Sequence, residues 1–334
     1  MRYQSKKQKT RKIRRYLWWI VFAVIAIIIF TTIILNRAWI YDFYRGISYQ
    51  PTSEMVKIRN SLDLTSEGKF LFNASQPELS EREVFNEKCR NGGSEEIAVL
   101  GCYTENNIYV YNILEEELDG IRELTAAHEL LHAVYARMSD GEREDLKSAL
   151  LAVYRGHKTI LEDDLNTYSE SERMEELYVR AGTEIKKLPA ILEKEYARIF
   201  TDQDAIVNFY EKYIKVFREI EAEMESLKSE MDEIEAEVTL KTQEYESRLE
   251  QLDADIVSFN SCAEVAGCFK SESEFYAKRN KLISEQSSLK ALYQEISDLV
   301  DEYNEKVEQY NADIVYSEKL NKVINSSAKP QEIK

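Results

Sequence analysis

Twenty consecutive uncharged residues, Tyr16 to Leu35 (YLWWIVFAVIAIIIFTTIIL), constrain this chain more than any other stretch. A helix rising about 1.5 Å per residue needs about that many to cross a hydrocarbon core of about 30 Å. Trp18 and Trp19 stand at one edge of the run, and Trp39, Tyr41, Phe43 and Tyr44 lie past the other. Aromatic residues at both interfaces are what a spanning helix uses to settle its depth. Two alternatives exist. A buried core helix does not need the polybasic flank that precedes this one. A cleaved signal peptide has a shorter apolar region and a small-x-small site, and Asn36-Arg37-Ala38-Trp39-Ile40 offers none. The expectation is an uncleaved transmembrane helix, 16–35, in contact with membrane lipid.

Charge sets the direction. Residues 1–15 hold eight Lys or Arg and no acid, which predicts a basic tail on the cytoplasmic side and everything from about residue 37 outside. Without those eight, 36 of the 44 basic residues remain against 61 acidic ones, a net −25. So acidic a body repels phosphate backbones, and no nucleic-acid partner is expected. Cysteine usage fits the same placement. Cys89 with Cys102 and Cys262 with Cys268 form two close pairs, which an oxidising compartment converts into two local disulfides. Four independent thiols are the alternative. A four-cysteine zinc site is disfavoured because no C-x-x-C spacing occurs.

The pattern after the anchor predicts an α+β domain over 45–200. Helical spacing covers Ser53 to Leu62 and Leu79 to Cys89, with a strand at Lys69 to Phe72 between them. Ile97 to Leu100 and Ile108 to Tyr111 flank the polar turn Thr104 to Asn107, as in a β-hairpin. A long helix is then expected from Leu114 to Met138, followed by helices at 142–156, 171–181 and 189–200. From 203 the texture changes, with no proline between Pro189 and Pro330 and Gly267 the only glycine after Gly182. Phe217, Ile220, Met224, Leu227, Met231, Ile234 and Val238 recur at 3–4 spacing, the seam of a coiled coil. After polar Lys241 and a phase slip the stripe resumes at Tyr245, Leu249, Leu252, Ile256 and Phe259. A second stripe runs from Leu282 to Ile314. Gly267 between Cys262 and Cys268 suits a tight reversal, so 203–318 reads as an antiparallel coiled-coil hairpin and 319–334 as a tail. Residues 217–259 alone reach about 65 Å at about 1.5 Å per residue. An arm of that length is suited to a partner protein or to self-association.

His128-Glu129-Leu130-Leu131-His132 uses two of the chain's three histidines. Residues four apart stack on one helical face, so both imidazoles can reach one ion while Glu129 faces the open coordination position. Such an ion lowers the pKa of bound water towards about 7 and polarises a carbonyl; Glu129 would serve as the catalytic base. Two histidines without a metal are the plainer alternative.

The surrounding stretch, Thr125-Ala126-Ala127-His128-Glu129-Leu130-Leu131-His132-Ala133-Val134, resembles the extended pattern of the zincin metallopeptidases. A hairpin just ahead of the helix is also similar to the zincin fold, in which an edge strand binds extended substrate. The resemblance covers about residues 100–200. It implies zinc as cofactor and a peptide or protein as substrate. The metzincin subgroup is excluded, because Tyr135 and Met138 stand where its glycine and third histidine belong. Glu175-Glu176-Leu177-Tyr178-Val179-Arg180 is similar to the gluzincin stretch that supplies the third ligand, with Glu176 in the ligand's place. It departs at Glu175, Val179 and Arg180, the last standing where that family has an Asp that orients a histidine. Glu176 also lies opposite the apolar stripe Met174, Leu177, Tyr178 and Ala181, so Glu184, Glu175 and His157 stay open as third ligands. Tyr178 is either an oxyanion stabiliser or core packing.

The expectation is a membrane-anchored, extracytoplasmic zinc metallopeptidase of gluzincin-like type. The alternative is a membrane-anchored coiled-coil interaction protein with a structural or vestigial zinc site.

Overall fold

The computed structural model of the chain describes residues 2–89, 100–165 and 168–325. The chain divides into two compact units, one comprising residues up to Ile214 and resuming at Val323, the other Lys215–Lys322. Helix dominates both.

The first unit opens with α1 (Arg2–Leu35) and α2 (Arg37–Ser48), separated only by Asn36 with φ −105° and ψ 15°. Among the described residues, Leu17–Leu35 is the one helical stretch long and apolar enough to cross a membrane, and none of it is buried. The apolar segment expected to span is therefore helical. α2 was not foreseen in the sequence, although Trp39, Ile40, Phe43, Tyr44 and Ile47 recur at helical spacing.

α3 (Ser53–Ser61) starts where Thr52 accepts a hydrogen bond from the Met55 N–H, and α4 (Ser66–Ala74) where Thr65 accepts from Gly68 N–H. Such side-chain caps satisfy N–H groups that a helix start leaves unpaired. The cap at Thr65 corrects the expected strand at Lys69–Phe72: that run lies inside α4 and buries Phe72 against the core. The helix expected over Leu79–Cys89 is also corrected. Glu78–Ser80 forms a short strand, β1, and only Arg82–Cys89 is helical, as α5. Pairing with a distant strand wins there over local propensity.

β2 (Gly101–Thr104) and β3 (Asn107–Tyr111) make the expected hairpin. Its loop is tighter than expected, only Glu105 and Asn106, both at positive φ (50° and 63°). Two residues in that region make the turn whose twist matches paired strands. The first arm expected at Ile97–Leu100 falls mostly outside the described residues; Leu100 accepts from the Tyr111 N–H at 2.8 Å. The sheet order is β1-β3-β2, with β1 parallel and β2 antiparallel to β3.

A 3-10 turn (Glu116–Leu118) and Gly120 then break the expected Leu114–Met138 helix, so α6 runs Ile121–Arg137. α6 is buried almost all round, by β3 on one side and by α9 (Glu170–Glu184) on another. Ile108 and Val110 of β3, Leu130, Leu131 and Val134 of α6, and Leu177, Tyr178 and Ala181 of α9 lie in one core. α7 (Asp140–Gly156) begins at a reciprocal cap in which Ser139 and Glu142 each bond the other's backbone N–H. α8 (Lys158–Leu165), unforeseen in the sequence, α10 (Ala190–Tyr196) and the first turns of α11 (Gln203–Ala263) follow.

The second unit holds most of α11 and α12 (Glu272–Ile324). Glu230 pairs with Lys306, Lys241 with Glu295, and Arg248 with Glu285, at 2.6, 2.9 and 2.8 Å. As one partner's number rises the other's falls, so the two helices run antiparallel. Ile220, Leu227, Ile234, Leu252, Leu289 and Leu292 are buried between them. Lys241, the polar break in the first stripe, points at Glu295. Cys262 and Cys268 are disulfide-bonded at the reversal. Gly267 there has φ 80°, a left-handed conformation that favours glycine.

Leu130, fully buried, provides a check on this packing. Leu130→Ala should lower the first unit's stability by about 2–5 kcal/mol. Leu114→Ala, at a residue 70% exposed, should change it by less than about 0.5 kcal/mol. Chemical denaturation followed by circular dichroism measures both, and equal effects would contradict the assigned core.

Candidate metal centre

Helix α6 puts His128 and His132 one turn apart, with ring centroids 5.1 Å apart. α9 crosses it and delivers Glu176. The three residues offer ligand atoms all within 4.8 Å of one another, a group that can hold a metal ion. His132 Nε2 lies 3.4 Å from Glu176 Oε2, and His128 Nε2 3.7 Å from Glu176 Oε1. Two ligands at about 2.0–2.1 Å from one tetrahedral ion sit about 3.3–3.4 Å apart. The observed separations are longer than a charge-assisted hydrogen bond and close to that value. By donor type and spacing, the residues fit zinc.

By helical phase Glu176 lies opposite the apolar stripe of its helix, a position that ordinarily faces solvent. α9 resolves the difficulty by burying more than one face. Leu177, Tyr178 and Ala181 enter the core, while Glu176, Arg180 and Thr183 are also buried. Glu129, Glu176 and Arg180 are the only carboxylates or cations fully buried among the described residues. A carboxylate taken from water needs compensating charge. Burial alone would raise the Glu176 pKa, but His128, His132 and Arg180 outweigh it and hold the carboxyl below its usual range.

The other candidate ligands lie elsewhere. His132 Nδ1–H donates to Glu175 Oε1 at 2.9 Å, which leaves Nε2 with its lone pair toward the ligand cluster. A carboxylate on the outer nitrogen fixes the orientation of the His132 ring. Arg180 bonds both carboxylate oxygens of Glu184, at 2.8 and 2.9 Å. His157 sits at the C-terminal end of α7, outside the ligand group. Tyr178 is fully buried between Tyr135 and Tyr196, with ring centroids 5.3 and 5.2 Å away. That places it in the core, not at an oxyanion.

Strand β2 closes the site on Glu129's side. Glu129 accepts a hydrogen bond from the Tyr103 backbone N–H, and burial pushes its carboxyl up to about 7. Gly101 lies so near that a Cβ there would meet Thr125 Cγ2 at 2.5 Å and Glu129 Oε1 at 2.7 Å. A side chain at 101 would lift the strand off the glutamate. Because Tyr111 N–H bonds Leu100 C=O, the antiparallel alternation turns the peptide groups of Gly101 and Tyr103 away from β3. Cys102, between them, is disulfide-bonded to Cys89 at the end of α5. The contact of β2 with Glu129 was not legible in the sequence; the glycine ahead of Cys102 was its only trace.

Comparison with known proteins gives no match: no family model, no curated protein and no solved structure is significantly similar to this chain.

Two outcomes follow from this geometry. Glu175→Gln should weaken zinc affinity about tenfold to a hundredfold by loosening His132, measured by chelator competition; unchanged affinity would remove Glu175 from the site. Burial lowers the His132 pKa, but hydrogen bonds to Glu175 and Glu176 and the nearby Glu129 outweigh it, raising the value to about 10. The imidazole is therefore protonated near neutrality in the metal-free protein, and a metal must displace that proton. Zinc affinity should rise about tenfold per pH unit across the neutral range. Calorimetry in buffers of different ionisation enthalpy should detect the released proton, and a flat pH profile would contradict it.

Proposed function

We propose that this chain is a membrane-anchored zinc metallopeptidase with a gluzincin-like ligand set, His128, His132 and Glu176. The observation that carries the reading is Glu129, a buried carboxylate next to a His-His-Glu cluster of ligand spacing and hydrogen-bonded by strand β2. A zinc ion bound there supplies a Lewis acid and brings a bound water's pKa to about 7.

The chain's own residues account for the rest. Glu129, with a carboxyl near neutrality, is matched to take a proton from water and return it to a leaving amine. Glu175 fixes the His132 ring. The Gly101 peptide groups and the Tyr103 carbonyl at the outer edge of β2, beside the Tyr103 N–H that Glu129 occupies, suit an extended peptide that adds to the sheet as a strand. Such a substrate would lie across Glu129.

The same reading places the protein in a membrane. Leu17–Leu35 spans the bilayer, the basic residues 1–15 stay in the cytoplasm, and the metal unit lies outside. The Cys89–Cys102 and Cys262–Cys268 disulfides favour that oxidising side. The Lys215–Lys322 helices act as an antiparallel coiled-coil arm for a partner protein or substrate.

Glu129→Gln separates this reading from an anchored interaction protein with a structural metal. It should retain zinc at one ion per chain and lose about a thousandfold or more in peptide cleavage. Gly101→Ala should also lose cleavage while retaining zinc. Full cleavage by Glu129→Gln, measured on a peptide library, would exclude the peptidase mechanism.

A further inference from the structure

Helix α2 is left unused by the proposed chemistry, and its two faces are unlike. The inner face is fastened to the metal unit. Asp42 accepts from Arg137 Nε and Nη2 at 2.8 and 3.0 Å. Arg45 donates to the carbonyls of Ala74 and Asn106 and to Asn107 Oδ1, at 2.7, 2.9 and 2.8 Å. Gln76 Nε2 donates to the Arg45 carbonyl at 3.3 Å. The same Arg137 guanidinium bonds Tyr103 Oη at 3.0 Å and the Ala133 carbonyl at 2.7 Å. One cation thus joins α2, the helix of the metal ligands and the strand over Glu129. α2 is part of the metal unit, not a loose tether.

The outer face is apolar. Trp39, Ile40, Phe43, Tyr44 and Ile47 follow helical spacing and are 59, 41, 45, 67 and 67% exposed. No residue of α2 is fully buried. Trp39 and Phe43 stack on that face with ring centroids 5.3 Å apart. A contiguous strip of large apolar side chains marks a surface that something covers. The strip begins four residues after Leu35, the end of the apolar run, and only Asn36 separates the two helices. Its aromatic content is that of helices lying at a membrane–water boundary. The acid of this helix, Asp42, turns inward.

We propose that the outer face of α2 is bedded in the headgroup and upper acyl region of the bilayer that the neighbouring span crosses. The inference rests on the membrane-anchor reading above. The metal unit then stands on the lipid surface, its orientation fixed through Arg137. An anchored domain on a flexible stalk would have no such constraint.

Depth-dependent fluorescence quenching tests this on the full chain. The protein is reconstituted into vesicles of phosphatidylcholine with a minor share of phosphatidylglycerol, brominated either high or deep on the acyl chains. Trp18→Phe, Trp19→Phe and Trp39→Phe remove the native tryptophans, and Tyr44→Trp or Ile47→Trp adds one reporter. Leu114→Trp, at an exposed position of the same unit, serves as the solvent reporter. A chain keeping only Trp19 reports on the span. Shallow bromines should quench the Tyr44→Trp and Ile47→Trp reporters about twofold, deep bromines less, and neither should quench Leu114→Trp. Unquenched α2 reporters beside a quenched Trp19 would overturn the proposal while leaving the anchor intact. Blue-shifted but unquenched α2 reporters would overturn it in favour of a second copy covering the strip. An unquenched Trp19 would remove the anchor reading, and this inference with it.

Discussion

Burying a carboxylate inside a protein is costly, and Glu176 is 5% exposed. What compensates is a set of positive or metal-ready groups, His128, His132 and Arg180, gathered where α9 crosses α6. That crossing organises the first unit. It needs Leu130, Leu131 and Val134 on one helix and Leu177, Tyr178 and Ala181 on the other to pack into one core. The polar cluster then occupies the seam beside that core. Without an ion, the cluster holds the His132 proton by hydrogen bonds to Glu175 and Glu176. With one, the same lone pairs have a common target at ligand distance.

The sheet is small, three strands in order β1-β3-β2, yet it determines what can approach Glu129. β3 is buried between its neighbours and against α6, and β2 is the edge strand among the described residues. Gly101 permits that edge to touch the glutamate directly. The Cys89–Cys102 disulfide and the Tyr103–Arg137 hydrogen bond hold the strand from either side. Small sheets lack the area to fix a strand by packing alone; here covalent and ionic ties supplement it.

Local signals carried some of this to the sequence and long-range ones did not. The H-E-x-x-H spacing, the apolar N-terminal helix and both cysteine pairs depend on residues near one another, and all three were legible. So was the antiparallel helix pair, whose apolar stripes, interrupted at Lys241, persist over many turns. The strand expected at Lys69–Phe72 was wrong because a run of aromatic and aliphatic residues suits either period; the Thr65 cap decides for helix. β1 was missed because three residues cannot show a period and its pairing partner lies some thirty residues on, at Tyr109 to Tyr111. The substitution of the orienting Asp by Arg180 counted against Glu176 in the sequence. Only the fold reveals that Glu175, from the preceding position on the helix, reaches His132.

The account stands on one cage of three side chains around one ion. Zinc K-edge X-ray absorption on the full chain, with Glu176→Gln alongside, tests that cage most directly. The predicted result is one tightly held zinc with two imidazole nitrogens and oxygen ligands at about 2.0–2.1 Å, and a variant that loses most of its metal on dialysis. A protein that keeps no zinc, or a Glu176→Gln variant whose zinc shell is identical to the native one, would contradict it.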